Sequence, residues 1–348
     1  MTPDLQDTIA NIPAPAPEAL FRAHLDTLTK PLGALGRLED LAAQLQTLGL
    51  TDLRKAAWVF AADHGIAAEG VSAYPAEVTR QMVLNFLSGG AAINVLSRLH
   101  NAPVHIVNAG VATALDSAPT LRNTPIRPGS RNMLHEPALS EAELNEALAL
   151  GIECAAEASA KGFNLIAVGE MGIANTTAAS ALTAALTGRA LYPVTGRGTG
   201  LDDAAHAHKI AVLEAVLAHH EPHLTTPEEI LRRLGGLEVA AMTGFILGCA
   251  SHRIALIIDG FISTAAAACA VALAPQVHSW LFAGHQSQEP GHRILLAHLN
   301  LTPILTLDMR LGEGTGAVLA MPILESALAL YTQMATFTSA GVSAATAL

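Results

Sequence analysis

FNLIAVGEMGIANTT, Phe163 to Thr177, runs from an apolar, β-compatible segment (Phe163 to Val168) through Gly169-Glu170-Met171-Gly172 into Asn175, Thr176 and Thr177. Those last residue types start helices, and an Ala-rich helix to Leu186 follows. Strand, glycine turn, helix start is the order that a parallel sheet with crossover helices requires. The order recurs along the chain. AAWVFAA (Ala56 to Ala62) runs into Asp63-His64-Gly65, Val104 to Val107 into Asn108-Ala109-Gly110, and Ile254 to Ile258 into Asp259-Gly260. Trp280 to Ala283 runs into Gly284-His285-Gln286-Ser287, and Ile304 to Leu307 into Asp308 and the glycines beyond it. Six apolar runs separated by helical segments predict an α/β fold: a doubly wound, mostly parallel six-stranded sheet with helices on both faces.

The segments between and around these runs carry helical spacing. Phe21 to Leu28 and Leu35 to Leu48 read as a helical hairpin, and Glu77 to Leu87 as a helix broken at Gly89-Gly90 and resumed to Leu99. Ser140 with Glu143 forms a capping box opening a helix through Ala160, and further helices are predicted over Leu237 to Ala250 and Val318 to Phe337. The Pro-containing stretch Ala118 to Ala138 reads as irregular. Since chain start and chain end are both helical, a small helical domain built from residues 1–50 and 314–348 is expected beside an α/β core of residues 51–313.

Composition narrows the partners. Of 348 residues 51% are hydrophobic and 14% charged, a balance that suits a buried parallel sheet and favours a homo-oligomer. The net charge of -11, with no basic run, argues against nucleic acid and against an anionic membrane, leaving a small-molecule partner. Cys154, Cys249 and Cys269 lie far apart in Ala-rich surroundings, as core residues of a reducing, cytoplasmic compartment do. No secretory signal pattern opens the chain, and Phe261 to Ala274 reads as a buried helix, not a membrane span.

The chemistry is expected at LDMRLGEGTGA, Leu307 to Ala317, where Glu313 lies among three glycines directly after an apolar run. In open parallel sheets ligands bind at the carboxyl ends of the strands. Glycines let a flat ligand approach the backbone and leave the acid few side-chain partners, so Glu313 is a candidate general base; a solvated loop acid is the plainer alternative. Two anion sites are suggested. In GEMGIANTT backbone amides at a helix start can hold a phosphate, and GRGTG (Gly196 to Gly200) adds Arg197, with Lys209 on the second turn of the next helix. Ordinary turns with helix caps explain either one alone. Both glycine loops read GxGxG, not GxGxxG, and GxxxxGK[ST] is absent, which disfavours dinucleotides and P-loop nucleotides. Asp202-Asp203 reads as helix-start acids, not as a magnesium site. The 15 histidines show no HExxH pattern and read mostly as surface or supporting groups; no metal and no cofactor is expected.

These residues also carry a family likeness. KPLGALGRLEDLA, DHGIAAEGVSAYPAEVTRQMVLNFLSGGAAINVL, GEMGIANTTAASAL, GRGTGLDD, LGGLEVAAMTGFILG, IDGFISTAAA, HQSQEPGH and LDMRLGEGTGA, in this order between Lys30 and Ala327, resemble the nicotinate-nucleotide:dimethylbenzimidazole phosphoribosyltransferases. The resemblance implies an enzyme that makes α-ribazole 5'-phosphate, the lower-ligand nucleotide of cobalamin, from nicotinate mononucleotide and a benzimidazole. It implies Glu313 as the general base, and Glu170, Gly172, Asn175, Thr176, Arg197 and Lys209 around the ribose phosphate and leaving base, with Asp259, Gly260 and Ser287 nearby. It places the acceptor base against Pro75 to Gln81, with Leu311 and Gly312, and implies a homodimer. The chain departs from the family pattern at Ala76, which brings no polar side chain, and at Ala174, where many relatives carry glycine. Two rival readings are a magnesium-dependent enzyme using a pyrophosphorylated sugar, which EDTA would stop, and a non-catalytic binder of benzimidazoles, which would need no base at Glu313.

Overall fold

A computed structural model describes residues 3–198 and 200–343. Residues 1, 2 and 344–348 of the two end segments, and Thr199 of the GRGTG loop, lie outside it. The amino-terminal segment forms α1 (Pro3–Ala10), α2 (Ala19–Leu25) and α3 (Arg37–Thr47). The sheet begins with β1 (Lys55–Ala62), followed by α4 (Glu77–Ser88), α5 (Ala92–Leu99), β2 (Val104–Gly110) and β3 (Leu121–Asn123). Then come α6 (Glu141–Ala160), β4 (Leu165–Met171), α7 (Asn175–Thr187), α8 (Leu191–Val194), α9 (Asp203–His220), α10 (Pro227–Leu234) and α11 (Leu237–Ser251). The remainder is β5 (Ala255–Ile258), α12 (Phe261–Leu273), β6 (Leu281–Ala283), α13 (Pro290–His298), α14 (Thr315–Gln333) and α15 (Phe337–Ala340).

The strand order is β3-β2-β1-β4-β5-β6, and every pairing is parallel. Strands β1 and β4 lie side by side although two strands separate them in sequence, so the direction of winding reverses between them. That reversal opens a crevice at the carboxyl edge of the sheet. The register sets Phe60 beside Glu170 and Ala61 beside Met171, which brings the polar ends of both strands to one level. Every residue of β1 after Lys55 is buried, as expected for strands covered on both faces. Helices α11 and α12 pack on the sheet on one side, and α4, α5 and α14 supply the other cover. The capping box forms, with the Ser140 amide donating to Glu143 over 2.7 Å and the Glu143 amide to Ser140 Oγ over 3.2 Å.

Two strand assignments need correction. Ile304 to Leu307 is not a strand: Leu305 makes a single parallel bridge to His285, and Leu307 is 54% exposed. The amides of Ile304 and Leu305 donate to Ala283 and Gly284 oxygens, but Pro303 before them has no N–H and the run then turns into solvent at Asp308, whose φ is +54°. The sixth strand is β3, inside the stretch read as irregular. The termini pack together through α3 on α14 and a bridge between Leu28 and Thr336, while α14 also lies on β4, β5 and α5. Lys55 at the start of β1 pairs with Glu325 of α14 at 2.5 Å. Phe261–Leu273 is a buried helix, and the three cysteines are free and buried.

Candidate active site

A cavity of about 380 Å³ opens at the carboxyl edge of the sheet. On one side lies the turn before α14, where Gly312, Glu313 and Gly314 take φ of +88°, +65° and +93°. A non-glycine residue in the left-handed region is uncommon and carries strain. Close packing enforces it here. A Cβ on Gly169 of β4 would come within 2.2 Å of the Glu313 carbonyl oxygen, and one on Gly312 within 2.5 Å of Glu170 Oε1. Asp259, at the end of β5, accepts from the Gly314 amide at 3.3 Å and the Ala317 amide at 3.0 Å, capping α14 and pinning the turn. The Glu313 side chain is buried, lines the cavity, and accepts from the Ile93 amide at 3.3 Å. Burial pushes its carboxyl above the usual range; the Ile93 amide opposes this and the Asp259 carboxylate adds to it.

Glu170 faces the same cavity from β4. Burial pushes its carboxyl up to about 8, against a hydrogen bond from the Asn175 amide group and with help from the charges of Glu238, Asp259 and Glu313. At neutral pH it is therefore largely a neutral acid able to donate a hydrogen bond. Asn175 is the first residue of α7, but its side chain serves Glu170 instead of capping the helix, and the residue before it, Ala174, sits at φ +73°. The helix does start at Asn175 as predicted, but without a side-chain cap.

The side where an anion is expected is built by α7, α9 and Gly196 to Gly198. Lys209 has no exposed surface, and its ammonium donates to Thr176 Oγ1 at 2.9 Å and reaches Gly196 oxygen at 3.5 Å. Burial lowers it to about 8, which the nearby Glu289 carboxylate resists. An incoming phosphate would restore its charge. Gly196 lies close against Glu289: a Cβ there would come 1.8 Å from Glu289 Oε2, so a larger residue would displace that carboxylate. Arg197 is half exposed, pairs with Asp203 and donates to Leu201 oxygen at 2.9 Å, facing an adjoining cavity of about 390 Å³. Asp202 caps α9 through the Ala205 amide at 2.8 Å, as a helix-start acid.

Of the residues expected at the site, Glu170, Gly172, Asn175, Thr176, Gly260, Ser287, Leu311, Gly312 and Glu313 line the one cavity. Lys209 and Asp259 stand directly behind its wall, and Arg197 lies next door. Pro75 and Gln81 are exposed and do not line it; Tyr74, Val78 and Met82 supply that wall. The i, i+4 apolar spacing of Val78 and Met82 was the available signal. Most of the 15 histidines are exposed or half-buried, in keeping with a reading as surface or supporting groups, and four are not. His64, His220, His285 and His292 are buried, and His285 lies 3.5 Å from Asp259 at the cavity. The HQSQEPGH run, directly after a strand, was the clue to His285. Among the described residues no cluster of three or more potential metal ligands occurs.

Comparison with known proteins agrees with this geometry. A family model described as phosphoribosyltransferase matches residues 12–342. The nicotinate-nucleotide–dimethylbenzimidazole phosphoribosyltransferase of Chloroflexus aggregans is 52% identical over 328 residues, 92% of either chain. That of Roseiflexus castenholzii is 50% identical over 345 residues, 97% of this chain and 98% of its own. The crystal structure of CobT from Thermus thermophilus superposes with a TM-score of 0.91 at 47% identity, covering 94% of this chain and 99% of that one. With a matching sheet, a matching length and half its residues shared, this chain belongs to the nicotinate-nucleotide–dimethylbenzimidazole phosphoribosyltransferase family.

Proposed function

We propose that the enzyme transfers the 5-phosphoribosyl group of nicotinate mononucleotide to 5,6-dimethylbenzimidazole with inversion at the anomeric carbon, giving α-ribazole 5'-phosphate and nicotinate. The observation that carries this reading is Glu313: a strained, buried carboxylate lining the same cavity as the start of α7, where Thr176 holds the Lys209 ammonium. Glu313 takes the ring N–H proton of the acceptor, whose other nitrogen attacks the anomeric carbon. Nicotinate leaves from a glycosidic nitrogen that is already cationic, so its departure as a neutral pyridine needs no acid catalyst. The rest of the rate comes from holding two flat rings on opposite faces of one ribose.

Lys209, Thr176, Gly172 and Arg197 are assigned to the phosphate, and neutral Glu170 with Asn175 to the ribose and leaving base. Asp259, Gly260 and Ser287 flank them. Leu311 and Gly312 take the acceptor, with Tyr74, Val78 and Met82 as its apolar wall. We further assign residues 51–313 to the catalytic core and both chain ends to a small helical domain, an assignment that the packing of α3 on α14 supports. A cytoplasmic homodimer fits the 51% hydrophobic composition and the exposed Leu84, Val95 and Leu99 on α4 and α5; light scattering tests it. The reaction is tested by incubation with nicotinate mononucleotide and dimethylbenzimidazole without added metal, then chromatography for free nicotinate and the α-nucleotide. Absence of both products, or turnover only with a pyrophosphorylated sugar and magnesium, would overturn the reading.

A further inference from the structure

Behind the wall of the cavity, on the side away from substrate, lies a buried pair that the mechanism above does not use. His64 follows β1, and Glu238 stands in the first turn of α11, 174 residues later. Their Nε2 and Oε1 atoms are 2.5 Å apart, with side-chain exposures of 1% and 0%. Two glycines collar them. A Cβ on Gly172 would sit 2.6 Å from Ala62 oxygen, 3.1 Å from Glu238 Oε1 and 3.3 Å from His64 Cδ2, while one on Gly236 would sit 2.2 Å from His64 Cε1. Gly65, next to His64, is itself pressed against the backbone at Ser130 and Arg131. The pair therefore touches the Met171–Ile173 turn from behind, and that turn lines the cavity. Thr79 fixes the other end of the turn by accepting from the Ile173 amide at 3.1 Å.

A buried ion pair is weak evidence for stability, because desolvation offsets most of the attraction. Its geometric consequence is firmer: removing either partner leaves an uncompensated buried polar group under Gly172. We propose that His64 and Glu238 are positioning residues for phosphoribosyl transfer, a pair that holds the Met171–Ile173 turn, and through it Glu170 and Asn175, without touching a substrate. This inference rests on the reaction proposed above.

The groups facing His64 are Glu238 from α11 and Asp63 from the end of β1; Glu238 in turn faces Glu170 from β4. Burial works against the charged imidazole, but the two carboxylates outweigh it and hold its proton affinity above the ordinary histidine value. As pH rises through that raised value the cationic half is lost and Glu238 is left uncompensated, so the turn loosens on the alkaline side.

The test uses the full-length enzyme and His64→Gln, Glu238→Gln and the double variant, with kcat and KM for nicotinate mononucleotide measured from about pH 6 to about pH 9. Each single variant should raise KM about tenfold with kcat within a few-fold, and the double variant should be no worse than either single one. The alkaline rise in the wild-type KM should shrink in His64→Gln to the part set by Lys209 and Glu170, which lose their protons in the same range. Unchanged KM in folded single variants, additive losses, or an alkaline limb of the same size in His64→Gln as in wild type would overturn the proposal. If the variants do not fold, the wild-type His64 titration is followed by NMR with and without nicotinate mononucleotide. Linkage requires bound ligand to raise its pKa, and an unmoved titration defeats the idea. Wild-type turnover is read first, so failure of the reaction itself is distinguished from failure of the pair.

Discussion

Glu313 shows how much a single residue depends on its neighbours. Its backbone at φ +65° is held between two glycines, and its carboxyl is lifted above the ordinary range first by burial and then by Asp259. A raised value makes it a stronger base, but one that is protonated earlier as pH falls. Turnover should therefore be full above that raised value and fall away on acidification through it, giving a kcat/KM profile whose acid limb lies above the usual glutamate range. Glu313→Gln keeps the shape and loses the base. We expect kcat to fall by about 10²- to 10⁴-fold with nicotinate mononucleotide binding kept within a few-fold by calorimetry. Near-normal turnover in that variant would refute the assignment.

Among elements, α6 and α11 cross in close contact. A Cβ on Gly151 would lie 2.0 Å from Ala241 oxygen, and one on Gly244 2.1 Å from Leu148 oxygen, so the two helices meet backbone to backbone. Gly151→Ala should lower the urea midpoint with unchanged m, at a cost of about 1–3 kcal/mol from overpacking. An unchanged midpoint would show that the crossing can spread freely. Most elements were legible in the sequence because both of their signals are local: β1 and β4 as continuous apolar runs, α6 by its capping box. The misses have a common cause. Leu121-Arg122-Asn123 is too short and too polar to read as a strand and is one only because β2 lies beside it, whereas Ile304 to Leu307 is mostly apolar but is exposed at Thr306 and Leu307. The site divides the same way. Glu313 and Glu170 stood out by their glycines, but His64 with Glu238 joins positions that no local pattern relates. Val78 and Met82 were overshadowed by the polar residues around them.

Across the whole molecule, the site works against the stability of the fold that carries it. Glu170, Asp259, Asp63 and Glu313 all sit at carboxyl ends of the sheet or beside them, and in each case burial is the largest cause of a raised proton affinity. The folded chain thus retains protons that the unfolded chain releases. Stability is fully present below the ordinary carboxyl range and is lost as pH rises towards the folded values, for Glu170 from about 4.5 up to about 8. Raised His64 acts in the same sense. Glu170→Gln removes one such group while retaining an acceptor for Asn175. Equilibrium urea unfolding at a series of pH values should find the variant more stable than wild type at neutral pH by a few kcal/mol at most, with the two converging in acid. Parallel stability profiles for the two proteins would mean that Glu170 ionises freely in the folded state, and its role as a neutral hydrogen-bond donor would fall with that result.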